Sequence, residues 1–590
     1  MLCFPGSGRP LVVAATLLAG GFLPVLAYGQ AYERVAPKTL PQNEPVTIPK
    51  PPLLPPVAAA DQVLLPQLNG LVFVPDMSAL QKDGVPTTSV GPNGINISGL
   101  PLLSDPEFTP LVTPYIGAKL TRADIDRIAR LVNNWYREHD RPFVSVAVPP
   151  QNISSGVVQV VVSQYRVAEV RPEGNHWFSS DLLREESGLV PGQTLTLSEV
   201  QDDLDRLNSN PFRSVTTVFQ PGARSGETDV VLKTEDRFPL RFYSSFDNAG
   251  AASLGRSEWS LGFNWGNALW LDQQFSYQFT RSVTGSMNAH SVSWATPLPW
   301  GDRLLIFGSF QQVSPDLGPF FGEEGKGGQA SLRYVWILPR FSLGKDVNVT
   351  ENLQIGYDFK TTNNDLEFGG FQVFSSLIEI NQFPLIYEAT ETDALGQTTL
   401  QNQFIFSPGR FSRANSEQAF QAEAPGSSPR YIYDRAALTR ITYLPEDISW
   451  VARVIGQVAN GNLQYSEQLS AGGQNSVRGY YTSAAIGSEG VLVSHEIRAP
   501  VFSFSDLLGQ QLPINDQAQF GVFWDWGHVA QVDPILGRQN TATLSSAGID
   551  LHLTAERFLD LRLDMGWQLR SAPGAVHRST FGDISATAGF

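Results

Sequence analysis

The sequence predicts a membrane all-β barrel of 16 antiparallel strands preceded by two small α+β domains, and three observations predict it. From Arg237 to Phe590 apolar and polar residues alternate with a period of two through segment after segment, the mark of strands with unlike faces. Between residues 67 and 236 that pattern is mixed with helical periodicities of three to four residues. No window supplies the roughly 18 to 20 uninterrupted apolar residues that a membrane-spanning helix requires.

The chain opens on a single arginine, Arg9, followed by an apolar stretch from Leu11 to Ala27 and by small residues that permit cleavage after Ala27, Gly29 or Ala31. Residues 1–31 are therefore expected to be a secretory signal peptide. The only cysteine, Cys3, goes with it, which leaves a mature chain with neither disulfide nor thiol chemistry. Residues 32–66 carry prolines at 37, 41, 45, 49, 51, 52, 55, 56 and 66, a density that excludes a continuous helix or a central strand. An extended linker is expected there. With 41 Lys and Arg against 57 Asp and Glu, the net charge of −16 lacks the basic surplus that a phosphate backbone attracts, and nucleic acid is excluded as a partner.

In residues 67–165, Ile125, Ile128, Leu131, Val132 and Trp135 recur at helical spacing, with Thr121 and Asp124 placed as a capping box. A β-branched run, Val157 to Val162, follows behind Gly156. Residues 166–236 read as strand (166–170), turn at Glu173-Gly174-Asn175, helix (179–187), helix (198–208) and strands (215–220 and 228–234). Two compact α+β domains are expected, ending at residues 165 and 236.

In residues 237–590 the alternation is clearest from Leu559 to Leu569, where Leu559, Leu561, Leu563, Met565, Trp567 and Leu569 interleave with Asp560, Arg562, Asp564, Gly566 and Gln568. A soluble sandwich buries one face of each sheet dry; a barrel with lipid outside and water inside explains an apolar face backed by a charged one. Sixteen strands are expected, beginning near residues 240, 257, 273, 287, 302, 329, 352, 374, 398, 431, 448, 490, 518, 542, 558 and 582. Phe590 ends the last one as a terminal aromatic, which resembles the signal read by the outer-membrane assembly machinery.

Neither an enzyme nor a cofactor or metal protein is expected. The seven histidines are scattered without a His-Glu-x-x-His arrangement, and the glycines at 318, 322, 325, 327 and 328 around Lys326 lack the Ser or Thr of a phosphate loop; they read as a flexible turn. Two other segments stand out: Val477-Arg478-Gly479-Tyr480 in the long connection after the eleventh strand, and Phe523-x-Asp525-x-Gly527 on the thirteenth. Because Phe520, Val522, Trp524 and Trp526 form that strand's lipid-facing side, Phe523, Asp525 and Gly527 point into the lumen. The pattern alone leaves two arrangements open, an outer loop with a solvated lumen carboxylate, or a loop folded inward so that Arg478 meets Asp525.

This pair of motifs resembles that of the Omp85 superfamily, whose sixth loop inserts into a sixteen-stranded barrel. The stretch Pro149-Pro150-Gln151-Asn152-Ile153-Ser154-Ser155-Gly156-Val157-Val158-Gln159-Val160 resembles the first polypeptide-transport-associated (POTRA) domain of two-partner secretion transporters, the haemolysin activator and filamentous haemagglutinin type, and residues 166–236 are similar to their second. The resemblance implies a protein in the bacterial outer membrane, its POTRA domains in the periplasm, exporting a partner exoprotein. It further implies a large β-helical cargo, a lipid bilayer around the barrel, and barrel assembly machinery and periplasmic chaperones as partners during biogenesis. Two rivals share part of the pattern: an insertase that assembles other barrels, and a passive porin. Relatives often carry an N-terminal helix that plugs the pore, whereas the proline-rich residues 31–66 make a poor helix.

Overall fold

Strand pairing and burial follow from the residue patterns above. The computed structural model describes residues 31–41, 62–224, 226–251, 254–315, 321–343, 347–368, 371–507, 509 and 515–590. The expected signal peptide lies outside them except for Ala31. The described chain divides into two units, one built on residues 45–209 and 213–237, the other on residues up to 44, 210–212 and 238–590.

Part of the expected linker is docked chain, and residues 42–61 of it lie outside the described residues. Residues 31–35 form one helical turn, α1 (Ala31–Val35), and residues up to 41 belong with the barrel. The prolines at 37 and 41 do stop the helix, but Val35 and Leu40 are buried, and the segment's backbone finds partners on inward-facing side chains. Lys38 N–H donates to Tyr243 Oη at 2.9 Å, Asn264 donates to Lys38 O at 3.1 Å, and Gln278 donates to Val35 O at 3.1 Å. Composition forbade a long helix without forbidding a docked, extended peptide.

The first unit holds two sheets and a short extra pair. β1 (Val63–Leu65) pairs with β4 (Leu120–Thr121). The four-stranded sheet runs β3 (Ile95–Ile97), β2 (Gly70–Val74), β6 (Val157–Gln164), β5 (Val144–Ala147). A short turn of helix, α2 (Thr109–Val112), precedes α3 (Arg122–Glu138), which starts at the Thr121–Asp124 capping box and lays Ile128, Val132 and Trp135 on Leu71, Phe73, Val158 and Val160. In the second half, β7 (Arg166–Glu173), α4 (Ser180–Glu186), α5 (Leu197–Asn208), β8 (Arg213–Pro221) and β9 (Glu227–Asp236) give the order β-α-α-β-β, with sheet order β7-β9-β8. Arg213 is buried there, donating to Glu186 at 2.6 Å and to Leu207 O at 2.7 Å while its guanidinium lies over Phe178. A buried charge is tolerated because every side of it is occupied.

The second unit is a closed barrel of sixteen strands: β10 (Leu240–Asp247), β11 (Glu258–Ala268), β12 (Gln273–Ser282), β13 (Met287–Pro297), β14 (Arg303–Val313), β15 (Phe321–Ser342), β16 (Asn348–Phe368), β17 (Phe371–Asp393), β18 (Gly396–Ser407), β19 (Tyr431–Tyr443), β20 (Ser449–Ala459), β23 (Glu489–Arg498), β24 (Asp516–Ala530), β25 (Thr541–Ala555), β26 (Leu559–Gln568) and β27 (Thr580–Gly589). The connection from β20 to β23 holds a small hairpin, β21 (Leu469–Ala471) with β22 (Ala485–Gly487), and two other connections carry α6 (Glu417–Glu423) and α7 (Phe504–Leu507). Closure joins β27 to β10 from Tyr243↔Gly589 to Asp247↔Ser585. Phe590 completes the seam by exchanging both backbone hydrogen bonds with Phe242, at 3.0 and 3.1 Å.

The glycine run around Lys326 corrects one expectation. Gly322, Gly325, Gly327 and Gly328 lie inside β15, which pairs with β16 from Phe321↔Phe368 onwards. Glycine has little preference for strand, but β15, β16 and β17, of 22, 21 and 23 residues, pair with one another along nearly their whole length. The ladder supplies what the side chains do not.

On β26, Leu563, Met565 and Trp567 are exposed while Asp564 and Gln568 are buried, and on β24 Phe520, Val522 and Trp524 are exposed while Phe523 and Asp525 are buried. Apolar exposure outside and polar burial inside is the inversion a lipid environment requires. Leu561→Arg is therefore expected to reduce folded barrel in membranes, at a cost of roughly 2 to 4 kcal/mol near the bilayer midplane, while Asp560→Ala is tolerated; heat-modifiable gel mobility of the membrane fraction reads both.

Candidate functional site

The connection between β20 and β23 runs back into the lumen. Its hairpin pairs Leu469 with Gly487 and Ala471 with Ala485, and the apolar side chains of Leu469, Ala471, Val477, Tyr480 and Ala485 pack with Leu492, Val529 and Leu544 of the wall. That burial brings the loop's tip against strands β23 to β26.

At the tip, the backbone N–H of Arg478 donates to Asp525 Oδ2 at 3.0 Å, its Nε to the same oxygen at 2.8 Å, and its Nη2 to Asp525 Oδ1 at 3.0 Å. Nη1 donates to Glu496 Oε2 at 2.6 Å, and the carboxylates of Asp564 and Asp550 lie 3.8 and 3.9 Å away. The guanidinium plane covers the Phe523 ring at 3.5 Å. Arg478 and Asp525 side chains are 4% and 0% exposed, so this is a charge pair largely withdrawn from water, with the bidentate geometry that only arginine offers.

The neighbours of Arg478 fix the approach. Gly479 adopts φ +83°, and its backbone comes so close to Gly566 that a Cβ on Gly566 would lie 2.7 Å from Gly479 Cα; glycine is required on both sides of this contact. Tyr480 donates its hydroxyl to the carbonyls of Ser545 and Arg570, both at 2.7 Å. Val477 is fully buried, and a Cβ on Gly527 would meet its Cγ2 at 3.0 Å. The structure thus brings together Val477, Arg478, Gly479 and Tyr480 with Phe523, Asp525 and Gly527, and sets Phe590 apart at the barrel seam.

Sequence reasoning missed the rest of the cluster. Glu496, Asp550 and Asp564 face Arg478 from β23, β25 and β26, and Arg498 and Arg562 neutralise part of their charge, with Arg498 Nε to Glu496 at 2.6 Å and Arg562 Nε to Asp564 at 3.1 Å. The signal was present for Asp550 and Asp564, which stand on the polar side of alternating strands. A cavity of about 90 Å³ adjoins the tip, lined among others by Thr399, Thr439, Arg453, Arg478, Arg498 and Arg562.

Comparison with known proteins places this architecture. The family described as haemolysin secretion/activation protein ShlB/FhaC/HecB matches residues 226–553, more than half of the chain. The chain belongs to this family. A ShlB-type POTRA domain matches residues 91–164, and a second POTRA domain, described as a surface antigen variable number repeat, matches residues 165–235. Over 476 residues the chain is 22% identical to the heme/hemopexin transporter protein HuxB of Haemophilus influenzae, covering 76% of this chain and 78% of that one. It is 23% identical over 431 residues to the outer membrane transporter CdiB of Escherichia coli, covering 71% of each. Among solved structures, CdiB from Escherichia coli superposes with a TM-score of 0.73 at 17% identity over 92% of this chain and 94% of that one, and CdiB from Acinetobacter baumannii with 0.61 at 16% over 95% of each. As a member of the ShlB/FhaC/HecB family the chain is an outer-membrane two-partner secretion transporter, with its POTRA domains in the periplasm.

Removing Arg478 leaves four carboxylates facing two arginines. Arg478→Ala is expected to free the loop, costing about 3 to 5 kcal/mol before allowance for lumen water, and to expose it to protease added outside the cell while barrel abundance is kept. Asp525→Ala should do the same. The double variant should add little, because residues sharing one interaction are not additive; additive effects would show that the two act separately.

Proposed function

We propose that the exported partner is received as an unfolded chain by the POTRA domains through strand addition, and that it then passes through the barrel lumen beside the anchored loop. The observation that carries this reading is a polar, closed barrel whose lumen holds an ion-paired loop, on a chain that also contains two small domains with open sheet edges. A passive porin has no use for those domains, and two of them fit an exporter better than an insertase. The cargo is a secreted protein, large and β-helical in this reading. Lipid surrounds the exposed apolar belt, and the terminal Phe590 engages the assembly machinery after chaperones have carried the chain across the periplasm.

The receiving edge follows from hydrogen-bond direction. The N–H and C=O of Val215 both turn away from β9, bonding the Asn208 side chain at 2.7 and 2.9 Å. The β8–β9 register continues unbroken from Arg213↔Asp236 to Pro221↔Thr228, so Thr217 and Phe219 present their backbone groups on the same outer side. No strand among the described residues pairs with that side. An edge of this kind binds any extended chain by main-chain hydrogen bonds, with little demand on side chains. No nucleotide is called for: folding of the cargo outside biases its movement.

Thr217→Pro removes one outward donor and leaves the β8–β9 ladder bonds in place. Export of the partner, measured as secreted protein against barrel abundance, is expected to fall severalfold, whereas the thermal unfolding of the soluble domains changes little. Unchanged export would overturn the role of this edge. Loss of many barrels from the membrane, instead of one secreted protein, would favour the insertase.

A further inference from the structure

The barrel wall is uneven in height. β18 covers β17 only from Phe383 to Asp393, about the 9 to 11 residues that a bilayer requires, whereas β17 begins at Phe371 and stays paired with β16 up to that end. β10 leaves from the periplasmic side and successive strands alternate in direction, so β17, the eighth around the barrel, has Phe371 at its extracellular end. From Phe371 to Gln382 no strand among the described residues pairs with the edge of β17 that faces β18. At roughly 3.3 Å per residue this is about 40 Å of strand beyond the stretch that β18 covers.

The lower part of that edge is occupied by the chain itself. Glu379 N–H donates to Ala414 O at 3.2 Å and its carbonyl accepts from Asn415 Nδ2 at 2.7 Å, while Asn381 O accepts from Ser407 Oγ at 3.0 Å. Both backbone groups of Glu379 thus turn away from β16. The β16–β17 register is unbroken from Thr361↔Glu379 to Leu366↔Phe374, so Leu377 and Ser375 turn theirs the same way, and no backbone group among the described residues bonds them there. Leu377 is half exposed and Ser375 exposed. On the opposite face Ile378 and Ile380 pack on Phe420 of α6, Tyr431 and Leu463, which backs the strand firmly; Leu463 belongs to the same β20–β23 connection whose tip is anchored in the lumen.

Edge strands are normally guarded by lysine, proline or a covering element. Between Phe371 and Ile380 the chain has no Lys, Arg or Pro and one charge, Glu379, whose carboxylate accepts from Ser412 at 2.5 Å; the ladder is interrupted only above Phe374, by a bulge. We propose, on the export reading above, that the open edge of β17 at Ser375 and Leu377 receives the exported partner as it emerges, adding its leading segment to the barrel wall as a strand. Main-chain bonding demands an occupant whose own backbone groups are unpaired, and at the outer rim the chain that arrives in that state is the one leaving the lumen. Neither open position carries a charge, so the edge takes a neutral, apolar strand. Once seated, that strand presents a fresh edge of its own, on which the rest of the partner folds.

Photo-crosslinking in cells actively secreting the partner separates this step from export itself, with the reactive residue placed at Ser375, at Thr399 beside the loop tip, or at Leu385, an exposed position in the part of β17 that β18 covers. The protein that is also recovered from the medium should be joined to positions 375 and 399 and not to 385. Leu377→Pro deletes one outward donor and spares the β16–β17 bonds; it is expected to lower the 375 adduct severalfold while the 399 adduct and the heat-modifiable folded barrel are kept. Should Leu377→Pro fail to assemble, the exchanged pair, Ser375→Pro with the reactive residue at 377, reads the same edge. Adducts at 399 without any at 375, a 375 adduct unmoved by the proline, or a 375 adduct made of two copies of this chain would each overturn the role of the edge and leave export standing. Adducts at neither 375 nor 399 would overturn export and the edge together.

Discussion

Four neighbouring strands, β23 to β26, each aim a carboxylate at one point in the lumen: Glu496, Asp525, Asp550 and Asp564. Arg498 and Arg562 offset two of these charges. Without a further cation the patch would be a concentrated negative field in a space partly stripped of water, where like charges repel strongly. Arg478 is that cation, and because it lies on the loop, satisfying the wall's charges requires the loop to enter the barrel. The surrounding small residues are subordinate to this need, since Gly479 and Gly566 must meet backbone to backbone before the guanidinium can reach Asp525.

An anchor built from ion pairs in a lumen differs from an apolar core in how it gives way. Apolar packing is lost only when surface is exposed, whereas a charged group can exchange one partner for another of the same sign at modest net cost when water or a second carboxylate is at hand. The lumen offers such alternatives in quantity. Lys360 pairs with Glu467 and Arg333 with Asp358 within one region of the wall, Arg435 bonds the Glu467 carbonyl, and a cavity lined by several arginines adjoins the loop tip. A pore that must stay closed to solutes and yet admit a polypeptide is served by contacts of this exchangeable sort, backed by a wall whose own hydrogen bonds are closed on themselves.

The barrel was legible in the sequence because a strand with lipid on one face and water on the other has a period of two and no ambiguity about which residues face where. The alternation through 559–569 gave both the strand β26 and its facing, as the burial of Asp564 and the exposure of Leu563 bear out. The α+β domains were legible through the capping box at Thr121 and the helical spacing in α3. The loop's position was only half legible from pattern: Arg478 and Asp525 are 47 residues apart, and alternation, which says that Asp525 faces inward, left the pairing as one of two arrangements between which the resemblance decided. Glu467 with Lys360, 107 residues apart, left no signal at all. Composition misled at two places, where prolines disguised a docked segment at residues 31–41 and glycines disguised a strand within β15, because tertiary pairing overrode local preference in both.

The central claim is that the lumen beside the anchored loop is the route of export, and a photo-crosslinking residue placed in the wall tests it most directly. Thr399 lines the cavity next to Arg478, while its neighbour Leu400 alternates to the lipid-facing side of β18. In cells actively secreting the partner protein, irradiation should join that protein to position 399 and not to position 400. Adducts at 400 alone, or at neither position while secretion continues, would contradict passage through the lumen and with it the account given of the loop.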